Sequence, residues 1–315
     1  MKRILANDGI HAAGKEKLEA AGYEVITEKV AQDQLATELP KFDAICVRSA
    51  TKVRKELIDG CPNLKAIGRG GVGMDNIDVD YARGKGLKVV NTPAASSRAV
   101  AELAMGHALG LGRSIHLSNH EMRTGGDFKT LKKAYAGGIQ FEGRTLGVVG
   151  LGRIGREAVR IGLGLGMKVI GVDPFVEHVD VELNIQGLSP KPTVRVESVS
   201  LTEMLAQADV VTLHIPAQDG KAVIGAEEMK NVKHGAILVN TARGGLIDEE
   251  VLLAALESGQ VAGAVLDVFN NEPNPDARLL NHKGISVTPH IGAATGEAQR
   301  LIGLELADQF IEILG

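Results

Sequence analysis

Arg243, Glu272 and His290 are the side chains of this sequence best suited to moving a proton and holding an acid. Each lies in a segment that follows a short apolar run, and in open α/β sheets ligands bind beyond the carboxyl ends of strands. His290 is the natural acid/base, because an unperturbed imidazole titrates at about 6.5. Glu272, within Asp267-Val-Phe-Asn-Asn-Glu-Pro273, is placed to hydrogen-bond the second ring nitrogen and favour the imidazolium. Arg243 offers a planar fork that fits a carboxylate. Hydride transfer to or from a hydroxy acid would use all three, together with a hydride carrier. Taken singly, each has a blander reading: a loop histidine, a surface glutamate before proline, an arginine closing a strand.

The carrier's site is signalled by Gly150-Leu-Gly-Arg-Ile-Gly155, a GxGxxG string. Alone it is weak in a chain with 39 glycines among 315 residues. Context strengthens it: the strand 145–149 enters, a helix from Arg153 leaves, and a second strand ends at Asp173, 18 residues beyond the third glycine. Gly150 permits the tight turn, Gly152 lets the backbone approach a pyrophosphate, and Gly155 lets helix and strand pack closely. Helix-terminal N–H groups would then meet the anion. Asp173 is expected to bond the adenosine ribose and to repel a 2′-phosphate, which favours NAD over NADP. The competing reading is a glycine-rich turn with no ligand.

The elements expected to position these groups are parallel βαβ units. Strands are predicted near 2–7, 23–27, 43–48, 64–68 and 87–91, and again at 145–149, 167–172, 209–213, 236–240, 261–266 and 285–288. One long helix is predicted over 96–118, then an irregular polar segment over 119–143, and a last helix over about 295–314. Ser200-Leu-Thr-Glu203 reads as a capping box, and Asp248-Glu-Glu250 puts negative charge in a helical first turn. Two doubly wound α/β domains follow, with a boundary near 98. Lys and Arg total 35 against 39 Asp and Glu, a net charge of −4, which favours neither a nucleic-acid nor a membrane partner. Cys46 and Cys61, the two cysteines, suggest neither a disulfide framework nor a metal site. No apolar stretch approaches the ~20 residues of a spanning helix, and the start lacks a signal peptide, so a cytoplasmic protein is expected.

Asn240-Thr-Ala-Arg-Gly-Gly-Leu-Ile-Asp248, Leu266-Asp-Val-Phe-Asn-Asn-Glu-Pro273 and Thr288-Pro-His-Ile-Gly-Ala-Ala-Thr295 resemble the three signatures of the D-2-hydroxyacid dehydrogenases. Gly68-Arg-Gly-Gly-Val-Gly-Met-Asp-Asn-Ile-Asp78 resembles the substrate loop of that family's short phosphoglycerate dehydrogenase branch. The resemblance implies Arg243, Glu272 and His290 as the catalytic three. It implies a coenzyme site lined by Gly150, Gly152, Arg153, Ile154, Gly155, Asp173, Ile215, Pro216, Thr241, Ala242, Asp267 and Gly292, with Asp267 near the carboxamide. Arg48, Ser49, Arg69, Gly70, Gly71 and Val72 would hold the substrate. The implied architecture is a Rossmann-type coenzyme domain, 99–289, inserted in a flavodoxin-like substrate domain of 1–98 plus 290–315. A homodimer through about 99–143 is implied as well.

The chain departs from the family pattern in places. Val72 stands where a threonine is common, Phe128 where the dimer arm often has tryptophan, and Ser96 and Ala99 replace a usual Asn and Ser. Residues 177–199 are longer than usual, and Val181–Ile185 with Thr193–Val196 read as an added hairpin. The chain stops 25 residues after His290, so a C-terminal serine-sensing domain is not expected. The leading expectation is NAD-dependent oxidation of D-3-phosphoglycerate to 3-phosphohydroxypyruvate in serine biosynthesis. The alternatives are a hydroxypyruvate, glyoxylate or other 2-ketoacid reductase on the same scaffold, and an NAD(H)-sensing binding protein.

Overall fold

Strands buried on both faces read as continuous Val, Ile, Leu and Ala, and those of this chain follow that rule. In the computed structural model, which describes residues 1–218 and 220–315, the chain divides into two units. The first comprises Met1–Ala99 and Ala293–Gly315, the second Val100–Gly292. In the first unit β1 (Arg3–Ala6), β2 (Glu24–Ile26), β3 (Ala44–Val47), β4 (Ala66–Arg69) and β5 (Lys88–Asn91) form a parallel sheet ordered β2-β1-β3-β4-β5. The order reverses between β1 and β3, a flavodoxin-like switch point. The helix Gly296–Leu314 packs against the helix Ala12–Ala20, where Gly14 and Gly303 bring the two backbones together. Phe310 is fully buried beneath Gly68, where a Cβ would come 2.5 Å from its ring.

The second unit contains β6 (Thr145–Val149), β7 (Lys168–Val172), β8 (His178–Glu182), β9 (Thr193–Glu197), β10 (Val210–Leu213), β11 (Ala236–Asn240), β12 (Val261–Leu266) and β13 (Ile285–Val287). Its parallel sheet runs β13-β12-β11-β10-β6-β7, with the switch point between β6 and β10, and β8 with β9 make a separate antiparallel pair. Among the described residues no helix is long and apolar enough to cross a membrane.

The structure corrects three details. The second unit extends to Gly292 rather than 289, because the N–H groups of Ile291 and Gly292 bond the Asp267 carboxylate at the end of β12. The long helix is two helices, Ser97–Gly112 and Ile115–Arg123, broken at Ser114, whose φ of 51° is left-handed. Phe141 packs onto Gly112 just before the break, where a side chain would collide with its ring. The segment after 119 is therefore not irregular throughout; it ends one helix and holds another, Phe128–Ala134, capped by the Asp127 carboxylate on the Thr130 N–H. In the hairpin, the first strand lies three residues earlier than expected, a register that turns Val179 and Val181 inward.

Candidate active site

The glycine turn joins β6 to the helix Arg153–Gly164, and its three glycines have three different reasons to be glycine. Gly150 has φ 91°, and a Cβ there would come 2.6 Å from Ile215 Cγ2 and 2.7 Å from the His214 carbonyl. A Cβ at Gly155 would overlap the Gly150 carbonyl, so the helix lies against the turn. At Gly152, the helix N-cap, a Cβ would meet nothing within 4 Å. The protein itself makes no demand there, which leaves open space at a helix N-terminus, as an approaching diphosphate requires. Asp173 follows β7; its carboxylate accepts the Leu151 N–H at 2.9 Å and the Phe175 N–H at 3.0 Å. At the end of β11 the Thr241 hydroxyl is buried without a protein partner, an acceptor or donor that a ligand could satisfy. These features fit a dinucleotide.

After β10, His214 Nε2 lies 3.0 Å from Thr212 Oγ1, while its buried Nδ1 has no partner. Burial pushes this imidazole down to about 4. It is therefore neutral at physiological pH.

Three loops meet, two through a backbone contact and the third through side-chain hydrogen bonds. Asn240 ends β11; its amide donates to the Arg243 carbonyl at 2.8 Å and its oxygen accepts the Ala242 N–H at 3.1 Å, fixing the turn that carries Arg243. The Arg243 guanidinium donates to the Ala242 carbonyl at 2.6 Å. Gly244 rests on the backbone of Phe269 in the next loop. There, Glu272 Oε1 accepts the Phe269 N–H at 3.0 Å, and Oε2 lies 2.8 Å from His290 Nδ1. His290 itself has φ 55°, a left-handed conformation that a non-glycine residue adopts only when its surroundings impose it. Those surroundings are set by Asp267, fully buried, which accepts the Thr288 hydroxyl at 2.6 Å and the N–H groups of Ile291 and Gly292 at 2.9 Å. The pair is partly exposed, with 41% of the His290 side chain and 37% of Glu272 accessible. An imidazole held at Nδ1 by a carboxylate has Nε2 left for a substrate proton.

The second unit pairs Glu272 with His290 and seats the turn that carries Arg243 on the loop that carries Glu272. Gly150, Gly152, Gly155, Asp173 and Ile215 cluster about the glycine turn, Arg153 and Ile154 begin its helix, and Pro216 follows Ile215. Thr241 and Ala242 precede Arg243, and Gly292 is tied to Asp267. Asn240, Thr288 and Ser198 were missed from sequence. Their signal is weak: Asn240 and Ser198 act through bonds to main chain, and Thr288 through a bond to the Asp267 carboxylate, none of which leaves a periodicity in the sequence.

In the first unit, Arg48 and Arg69 stand at the ends of adjacent strands, with Val47 paired to Arg69. Both flank Gly70: a Cβ there would lie 3.7 Å from Arg48 Cγ, and Arg69 Nη1 donates to the Gly70 carbonyl at 3.1 Å. The N–H groups of Gly70 and Gly71 are engaged by Val47 O at 2.9 Å and Thr92 Oγ1 at 2.8 Å, so these glycines shape the loop. Gly71 has φ 134°, and the Arg69 guanidinium fills the space of its missing side chain. Ser49 and Val72 are exposed. The turn 48–51 is clipped on both sides. Asp8 accepts the N–H groups of Arg48 and Thr51 at 2.8 and 3.0 Å, and the Asn76 amide donates to their carbonyls at 2.7 and 2.6 Å. A cavity of about 260 Å³ opens here, lined among others by Asp8, His11, Arg48, Gly70 and Gln299.

A doubly wound unit with a dinucleotide turn and a histidine–carboxylate pair defines a nicotinamide-dependent oxidoreductase. Residues 105–292 match the family model for the D-isomer specific 2-hydroxyacid dehydrogenase NAD-binding domain. A hydroxypyruvate reductase of Thermotoga maritima is 42% identical over 296 residues, 93% of this chain and 91% of that protein. A D-3-phosphoglycerate dehydrogenase of Methanocaldococcus jannaschii is 40% identical over the whole chain, which spans 58% of that protein's length. The crystal structure of a glyoxylate reductase from Paecilomyes thermophila superposes with a TM-score of 0.83 at 31% identity, covering 99% of this chain and 95% of that one. The chain belongs to the D-2-hydroxyacid dehydrogenase family of NAD-dependent oxidoreductases.

Proposed function

We propose that the chain interconverts D-3-phosphoglycerate and 3-phosphohydroxypyruvate, the step that would place it in serine biosynthesis in the cytoplasm. The observation that carries this reading is the pair of arginines, Arg48 and Arg69, on either side of Gly70. Guanidinium forks match phosphate oxygens, and two at adjacent strand ends exceed what a carboxylate alone requires. The likeness to the Methanocaldococcus enzyme supports it.

A bound NAD would supply the hydride acceptor for the substrate C2. Gly150, Gly152 and the helix from Arg153 would cradle the pyrophosphate, and Asp173 would take the adenosine ribose hydroxyls. Arg153, Ile154, Ile215, Pro216, Thr241, Ala242, Asp267 and Gly292 would line the rest. Arg243 orients the substrate carboxylate. His290 Nε2 accepts the C2 hydroxyl proton on oxidation and returns it on reduction, while Glu272 steadies the imidazolium. Arg48, Ser49 and the Arg69–Val72 loop of the first unit would receive the phosphorylated end. Ile115, Met122 and Phe128, exposed apolar residues between 99 and 143, support a homodimer through that segment.

A second reading, hydroxypyruvate reduction, is favoured by the likeness to the Thermotoga protein. Rates of NADH oxidation with 3-phosphohydroxypyruvate, hydroxypyruvate and glyoxylate decide between them. A kcat/KM at least tenfold higher for the phosphorylated acid is expected; equal or higher values for hydroxypyruvate would overturn the phosphate assignment.

A further inference from the structure

We infer that the β8–β9 hairpin belongs to the coenzyme site and that Ser198, at its exit, is a positioning residue for Asp173. The inference rests on the assignment of Asp173 to the adenosine ribose. Strand β7 is the last of its sheet, and the chain leaving the hairpin runs beside it. Gly171 pairs with Ser198 in a parallel bridge, and the Val199 N–H donates to the Gly171 carbonyl at 2.8 Å. An edge strand that would otherwise offer unpaired backbone groups is thereby covered.

The hairpin is fastened to the same elements that form the glycine turn. Its alternation sends Val179, Val181 and Val196 inward, each at most 3% exposed, into a cluster with Leu151 of the turn and Val159 of the following helix. Arg160 of that helix donates to the Glu182 carbonyl at 2.9 Å.

At the exit, one hydroxyl closes both main-chain groups of Asp173. Ser198 Oγ accepts the Asp173 N–H at 2.9 Å and donates to the Asp173 carbonyl at 3.0 Å. The carboxylate meanwhile accepts from Leu151, inside the glycine turn, and from Phe175. Four hydrogen bonds thus fix the main chain and the head of one side chain against the turn. A carboxylate that must meet ribose hydroxyls needs this placement, since hydrogen bonds weaken steeply once distance and angle drift. Removing the Ser198 hydroxyl would leave an N–H and a carbonyl unsatisfied at that residue.

Titration with NADH, followed by coenzyme fluorescence, tests the coupling in the wild type, Ser198→Ala, Ser198→Thr, Asp173→Ala and the Ser198→Ala/Asp173→Ala double variant. Ser198→Ala is expected to raise the NADH Kd about tenfold, the size of a lost pair of partly buried hydrogen bonds. The loss should fall on Kd far more than on kcat at saturating NADH, and the NAD-to-NADP ratio of kcat/KM should narrow. Ser198→Thr, which keeps the hydroxyl, should restore binding. In the Asp173→Ala background, Ser198→Ala should add less than twofold. Wild-type affinity for Ser198→Ala, or an equal loss in both backgrounds, would overturn the inference. If Asp173→Ala alone leaves NADH binding and the coenzyme ratio unchanged, the ribose assignment itself fails, and the role of Ser198 with it. Ser198→Cys, of similar size but a poorer donor and acceptor, provides the same comparison should the alanine variant not fold.

Discussion

Gly244 lies with its Cα against the Phe269 carbonyl, so the turn that carries Arg243 is seated on the loop that carries Glu272. A methyl group at 244 would overlap that carbonyl and drive the two loops apart. Gly244→Ala is expected to cost about 1–3 kcal/mol of stability, as overpacking does. It should also raise KM for the keto acid as Arg243 moves away from the acid/base pair. Thermal unfolding and steady-state kinetics measure both; a variant indistinguishable from wild type in each would show that the loops move independently.

For the proposed acid/base pair, His290→Ala should lower kcat by roughly 10²–10⁴-fold, the range for a lost general acid. NADH affinity should change less than twofold. Glu272→Gln keeps the size of the side chain but not its charge, and should lower kcat at least tenfold with KM little altered. Should Glu272→Gln turn over at the wild-type rate, the 2.8 Å contact with His290 has no part in catalysis.

Arg48→Ala and Arg69→Ala separate substrate recognition from scaffolding. A charge-assisted bond to phosphate contributes ~1.5–3 kcal/mol, or about ten- to a hundredfold in kcat/KM. That loss should fall on 3-phosphohydroxypyruvate while hydroxypyruvate is barely affected. Equal losses on the two acids would place the arginines in the fold or at the carboxylate instead.

His214 predicts an acid-side loss of stability. Burial lowers its folded pKa to about 4, below the value of about 6.5 in an unfolded chain. Above the unfolded pKa neither state is protonated, and the group contributes nothing to the pH dependence. As pH falls from about 6.5 to about 4 the unfolded chain takes the proton first, so the folded state loses up to about 3 kcal/mol and then levels off. Urea unfolding across that window should show a shallower decline for His214→Gln than for the wild type. Parallel curves would mean that the native site admits the proton.

Cys46 and Cys61 are buried, at 1% and 2% exposure, and burial pushes the Cys46 thiol up to about 12. Its thiolate fraction near pH 8 is therefore very small, although Arg48 and Arg69 pull the other way. A disulfide reagent should label neither cysteine of the native protein within minutes and both after unfolding. Rapid native labelling of one cysteine would place a thiol within reach of solvent.

What the sequence disclosed and what it hid divide along a physical line. Alternating apolar runs and polar ends are local properties, so β6, the glycine turn and the run to Asp173 were legible, as were the places of Arg243, Glu272 and His290 beyond the ends of β11, β12 and β13. The break at Ser114 was not, because the apolar helical pattern continues across it, while the Ile139 N–H that takes the Gly112 carbonyl comes from far along the chain. Asp267 was expected beside the carboxamide; its bonds to Thr288, Ile291 and Gly292 make it the anchor that holds His290 at positive φ. Ser198 and Asn240 were silent for the same reason: a hydroxyl or amide bonding main chain across a loop leaves no periodicity to read.

The first unit closes only when its last helix arrives, since Gly303 completes the packing at Gly14 and Phe310 fills the space under Gly68. Order of synthesis and order of folding therefore need not coincide. The second unit has all its contacts once residue 292 has left the ribosome, whereas residues 1–99 must wait for residues 293–315. We expect nascent chains stalled with residue 292 just exposed to resist protease across 100–292 and to be cut within 1–99. Equal protection of both segments at that length would mean that the early strands hold together without their closing helix.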